Sequence, residues 1–110
     1  MPSSYLTAGQ AAPAANTDTT MYTVPASTSF VGSSIVICNR SASNHVKFRV
    51  AVVPSGETLA NEHYLFYDMF VEARDSITKL LGLSLATGDQ VVVRADSADL
   101  SFSLFGSELS

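Results

Sequence analysis

Val46-Lys47-Phe48-Arg49-Val50-Ala51-Val52-Val53 alternates more cleanly than any other stretch of this 110-residue chain. Val46, Phe48, Val50 and Val52 fall on one side, Lys47, Arg49, Ala51 and Val53 on the other. Successive side chains of an extended strand point to opposite faces, so this pattern predicts a strand with one dry face and one face wet at its start. Turn-forming clusters bound it, Asn39 to Asn44 (NRSASN) before and Pro54-Ser55-Gly56-Glu57 after.

The same reading extends outward. Met21-Tyr22-Thr23-Val24 is a short strand stopped by Pro25, which has no N–H for a central ladder. Ser29 to Asn39 is a long extended stretch with Gly32 as a bulge or bend. Thr58 to Glu62 suits a short helical turn. Asp75 to Leu83 suits either a helix or a strand; Gly82 costs a helix about 1 kcal/mol relative to Ala, and a strand is expected. Gln90 to Ala95 is a short strand. Leu100 to Leu109 sets Leu100, Phe102 and Leu104 against Ser101, Ser103 and Phe105. Turn signals every 8 to 12 residues predict an all-β fold: one sandwich or flattened barrel of seven or eight antiparallel strands over residues 21–110.

His63 to Val71 (HYLFYDMFV) breaks the alternation. Straight alternation puts Tyr64, Phe66 and Phe70 on one face, interrupted by Asp68, and Leu65, Tyr67, Met69 and Val71 on the other. A strand apolar on both sides needs cover on both. The face of Tyr64, Phe66 and Phe70 is the candidate contact surface for another subunit; cover by the same chain is the alternative.

Residues 1–20 show neither helical nor strand periodicity and are mostly small and polar, which predicts an extended N-terminal arm ordered only by a partner. Tyr5 and Leu6 are its apolar anchor, or two incidental apolar residues on a free terminus.

A net charge of −4, with only six scattered basic residues, argues against a nucleic-acid groove. No apolar run is long enough for a membrane helix, and no secretory signal is legible. Cys38 is the only cysteine, so an internal disulfide is excluded; amid Ile35, Val36 and Ile37 it is expected to be buried and inert. His45 and His63 lack zinc-ligand spacing, and Asp96 and Asp99 lack the pattern of a calcium loop. No nucleophile elbow or phosphate-cradling glycine loop is present, and Glu62, Asp68 and Glu72 do not form a glycosidase cleft. Asn39-Arg40-Ser41 has the form of a glycosylation acceptor, which without a secretory signal implies only an exposed turn. No enzyme, cofactor or metal site is expected.

Taken in order, the segments Gly9–Ala26 (GQAAPAANTDTTMYTVPA), Ser33–Ser41 (SSIVICNRS), His63–Asp68 (HYLFYD), Leu81–Ala95 (LGLSLATGDQVVVRA) and Leu100–Glu108 (LSFSLFGSE) resemble a family of small virion proteins of tailed bacteriophages and prophages. The resemblance spans Leu6 to Glu108. It implies a non-enzymatic part of the tail, fibre or baseplate, or a cement protein on the capsid, made in the host bacterial cytoplasm. Asp68 and Arg94 match the family's pattern, but no chemistry is carried over to them.

The expected protein is therefore an oligomer, guessed as a trimer, bound to other virion proteins through Tyr5, Leu6, Tyr64, Phe66 and Phe70, with no nucleic acid or membrane partner. The alternative is a carbohydrate-binding module that recognises a host surface, with Tyr64 and Tyr67 beside a polar groove. The absence of tryptophan weighs modestly against it.

Overall fold

Eight strands fill residues 3–109, which are the residues that the computed structural model describes. In chain order they are β1 (Ser3–Ala11), β2 (Thr19–Thr23), β3 (Ser29–Asn39), β4 (Val46–Val53), β5 (Tyr64–Val71), β6 (Ser76–Leu85), β7 (Gln90–Ala95) and β8 (Leu100–Leu109). One 3₁₀ turn, Asn61–His63, precedes β5, slightly later than the helical turn expected at Thr58 to Glu62. Two four-stranded antiparallel sheets result, in the orders β1-β8-β3-β6 and β2-β7-β4-β5. First pairs with last, second with seventh, third with sixth and fourth with fifth. That is the pairing of one long hairpin, with its tip at β4–β5, rolled into a sandwich: the jelly roll.

The inward rows of the two sheets make the core. Phe30, Ile35 and Ile37 of β3 meet Val46, Phe48 and Val50 of β4, Val91 and Val93 of β7, and Leu100, Phe102 and Leu104 of β8, all essentially fully buried. Each such side chain contributes about 1.5–3 kcal/mol by leaving water. Phe48 and Phe102 come from opposite sheets and meet edge to face at 6.2 Å, which locks one layer onto the other. A second tie is polar: the Tyr22 hydroxyl of β2 donates to Glu108 Oε2 of β8 at 2.6 Å. Burial, then the hydrogen bond and the negative charge of Glu108, push the Tyr22 phenol well above its ordinary value near 10. Gly106 stands opposite Gly32 in the ladder, because a Cβ there would run into the Val31 carbonyl and the Phe30 ring.

Several expectations are corrected. Residues expected as a free arm are mostly sheet: Ser3–Ala11 form β1, paired to β8 from Ser3↔Leu109 to Ala11↔Phe102, and Thr19 and Thr20 already belong to β2. Backbone pairing orders this segment within its own domain, and Ala8 and Ala11 lie against the core.

The faces of β5 are also redrawn. Register shifts in the β4–β5 ladder, one spanning Asp68 and one spanning Leu65, give β5 extra residues and flip its side chains between faces. Asp68 takes the left-handed conformation, φ 54°, that such an extra residue requires. Phe66, Met69 and Val71 therefore face the core, opposite Val50, Phe48 and Val46, while Tyr64 and Phe70 face out, opposite Ala51 and Lys47. Phe66, expected on the outer contact face, is instead half-buried against the core and packs beside Phe48 at 6.3 Å.

Cys38, expected to be buried, is half-buried on the outer row opposite Ser101. Its neighbours Ile37 and Asn39 take the inward positions. Asn39, expected in an exposed turn, is buried. Its amide donates to the Asn44 and Val71 carbonyls and accepts from the Ser41 N–H, which fastens the end of β3 to β5.

Candidate functional site

The two outer faces of the sandwich differ in charge. The strands β1, β8, β3 and β6 contain two charged residues, Lys79 and Glu108, and both occupy inward rows, opposite Ile35 and Phe30. The outward rows of that sheet carry no charged side chain of their own; at one end of the face Arg40, which follows β3, donates from Nε to Ser101 Oγ at 2.9 Å. One cross-strand row reads Tyr5, Ser107, Val31, Ser84; the next reads Thr7, Phe105, Ser34, Leu80. Tyr5 and Leu80 stand almost free, at 91% and 86% exposure. Hydroxyls and small side chains keep the rest of this face low.

The outer face of β2-β7-β4-β5 is its opposite. Its β4 row brings out Lys47 and Arg49, and β7 brings out Arg94 directly across from Arg49. Three of the six basic residues thus share one patch. Like charges in facing register positions repel, and carboxylates answer them. Asp68 accepts from Arg49 Nε at 2.7 Å, and Asp18 lies 3.4 Å from Arg94 Nη1. The Arg49 hydrogen bond, with its charge, holds the Asp68 carboxyl below the usual range; the same bond raises Arg49 further. Asn16, Lys47, Arg49, Asp68, Arg94, Ala95 and Asp96 line a shallow cleft of about 80 Å³. Beside it the Arg49 guanidinium lies over the Tyr67 ring, Cζ 4.1 Å from the centroid, and Tyr67 meets Tyr64 edge to face at 4.9 Å.

Glu57, Glu62 and His63 form a third cluster, their ligand atoms within 4.8 Å of one another. His63 Nδ1 accepts from the Ala60 N–H, so the ring proton sits on Nε2, 3.0 Å from Glu57 Oε1. Both ring nitrogens are engaged, and a cation here would have to displace that proton. The trio closes the β4–β5 loop.

The five expected contact residues are scattered by the fold. Tyr5 and Leu6 sit on β1, Tyr5 outward and Leu6 half-buried opposite Gly106. Tyr64 and Phe70 share the outer face of the other sheet, where Phe70 packs edge to face on His45 at 4.6 Å. Phe66 points inside. The sequence reading did not assemble the cleft. Its traces were Lys47 and Arg49 on the wet side of β4, Asp68 as the one break in HYLFYDMFV, and Arg94 closing the apolar run Val91-Val92-Val93.

Among solved structures, the fold is similar to a chain of the T13 IBDV viral particle, with a TM-score of 0.60 and 13% sequence identity. The match covers 97% of this chain and 30% of that one, so this chain spans under a third of the other's length. At that identity the likeness establishes the shared β-sandwich. No protein-family model matches the chain, and no curated protein matches it significantly. No helix among the described residues is long and apolar enough to cross a membrane.

Proposed function

We propose that this chain is a non-enzymatic structural component of a virion, a small oligomer that meets its neighbours through the outer face of the β1-β8-β3-β6 sheet. The uncharged outward rows of that face carry the reading. Ion-poor composition distinguishes the buried centre of a protein interface from ordinary surface, and Tyr5, Val31, Phe105 and Leu80 supply the apolar contacts. Covering an exposed Tyr or Leu is worth about 1.5–3 kcal/mol each before the costs of association. Likeness of fold to a chain of a viral particle supports the virion, and the sequence resemblance supports a tailed phage. Within that particle we place the chain on the tail, fibre or baseplate, or on the capsid as cement, as a trimer.

The test is a Tyr5→Asp/Leu80→Asp double variant, expressed in place of the native chain in the cell that produces the particle. Both side chains are exposed, so the variant keeps its fold, and we expect it to be missing from purified particles. Incorporation at the native copy number would remove this face from assembly.

A further inference from the structure

We infer that residues 54–63, the loop from β4 to β5, form a proton-released strap: charging His63 frees the strap from the sheet beneath it and bares an apolar row beside Tyr64. This rests on different residues from the assembly face and does not depend on it.

The outward row of the β2-β7-β4-β5 sheet changes character along its length. Lys47, Arg49 and Arg94 are partly exposed, whereas Ala51, Val53 and Val92, in the same outward register, are buried. A buried outward row needs a cover, and the strap supplies it: Leu59 packs on these three side chains next to Tyr64. Leu59 is itself only half-buried, so the cover is one apolar side chain deep.

The strap is tied at both ends. At its start the Ser55 N–H donates to Asp89 Oδ1 at 3.0 Å. At its end His63 and Ala60 are joined in both directions. The His63 N–H donates to the Ala60 carbonyl at 3.1 Å, and the Ala60 N–H donates to His63 Nδ1 at 2.9 Å. His63 is the only buried residue of the strap, with 6% of its side chain exposed.

The tie to Nδ1 exists in one protonation state. Nδ1 accepts only while it carries no proton, and Nε2 then donates to Glu57 Oε1 at 3.0 Å. Charging the ring puts a proton on Nδ1, so two N–H groups confront each other across 2.9 Å. The hydrogen bond is lost and a covered donor is left without an acceptor. The carboxylates do not compensate in place. Glu57 and Glu62 are both exposed, Glu57 at 54%, where water screens an ion pair, and the bond from Nε2 is already present in the neutral ring. Swung outward, the imidazolium reaches water and keeps both carboxylates at hand, each with an oxygen within 4.8 Å of a ring nitrogen. Neutral and charged rings therefore favour different positions of the strap, which is what a switch requires.

The surrounding elements add no competing charge. β4 presents Ala51 and Val53, and β7 presents Val92, none of which titrates. Tyr64 follows on β5; Arg49 of β4 comes 5.9 Å from its ring but is held by Asp68. In the turn before β7, both oxygens of Asp89 are spent on the Ser55 and Ala86 N–H groups.

The experiment is an NMR titration of the full isotope-labelled chain from about pH 8 to about pH 5, the range in which histidine changes charge. At the upper end we expect the ring of His63 to carry its proton on Nε2 and Leu59 to show contacts with Val53 and Val92. As the ring charges, those contacts should disappear and the hydrogen-exchange protection of Ala60, relative to its intrinsic rate, should fall by about tenfold or more with the same midpoint. His63→Gln, whose side-chain oxygen can accept from Ala60 without titrating, should keep the strap closed throughout, and a thermal melt shows whether it is folded. His45→Gln should leave the transition intact. A ring that charges while the Leu59 contacts and Ala60 protection persist overturns the proposal, as does a ring that stays neutral across the range. Opening at the same pH in a folded His63→Gln, or a transition abolished by His45→Gln, overturns it too.

Discussion

Tyr22→Phe removes one oxygen atom and should reveal how tightly the two sheets are tied. The ring stays in place against Phe30, 4.8 Å away, so the lost interaction is the 2.6 Å hydrogen bond to Glu108. Hydrogen bonds to ionised groups contribute about 1.5–3 kcal/mol. Glu108 is half-buried and can turn to water once released, which places the cost near the lower end, about 1.5 kcal/mol. For a domain of this length that is a drop of about 6 °C in melting temperature.

The pH dependence makes the test sharper. The folded-state pKa of Tyr22 lies above the unfolded value near 10, so its contribution is complete below pH 10. Above pH 10 the unfolded chain releases a proton that the folded chain retains. Wild-type stability should then fall by up to about 1.4 kcal/mol per pH unit until the folded pKa is reached. Urea denaturation followed by circular dichroism, from pH 8 to pH 11, measures both quantities. Tyr22→Phe should begin lower and lose less. Equal alkaline slopes in the two proteins, or no difference at pH 8, would refute the tie between the sheets.

Phe66→Asp should destabilise the fold by about 3 kcal/mol or more, because it places a charge against the core beside Phe48, whereas Phe70→Asp, on the outer face, should cost under about 1 kcal/mol; thermal melts of the pair decide it. Asn39→Ala orphans the Val71 and Asn44 carbonyls and the Ser41 N–H together, and chemical denaturation should show a loss of about 2–4 kcal/mol. A chain beginning at Thr20 should lose cooperative unfolding, since it lacks β1 and bares the edge of β8; a sharp native-like melt from that chain would restore the free-arm reading.

Much of the fold was legible where inward side chains are large. The bounds expected for β3, β4, β7 and β8 match the structure residue for residue, because Phe30, Ile35, Phe48, Val93, Phe102 and their neighbours are large enough for the inward rows to show. β1 was hidden for the opposite reason. After Leu6 its inward and bulged positions are Ala8, Gly9 and Ala11, too small to give a hydrophobic period, and backbone pairing to β8 holds it. Gly9 is small for a cause on another strand: a Cβ there would strike the Met21 carbonyl of β2. β5 failed by a different route. Extra residues near Leu65 and Asp68 reverse its faces, and alternation counted along a strand cannot register a bulge that only the partner strand defines.

The cleft was dispersed in the sequence for the same topological reason. Arg49 and Arg94 are 45 positions apart and become neighbours only because the roll lays β7 against β4. The ion-poor face was equally unreadable, since its two rows are assembled from four strands spread from Tyr5 to Ser107.

The virion assignment is tested most directly by cryo-electron microscopy of particles purified from the cell that encodes this chain. The account predicts density for this eight-stranded sandwich at symmetric positions, with the Tyr5–Leu80 face turned toward a neighbouring subunit and the Arg49–Tyr67 face open to solvent. Particles that are complete, infectious and free of the chain would contradict it.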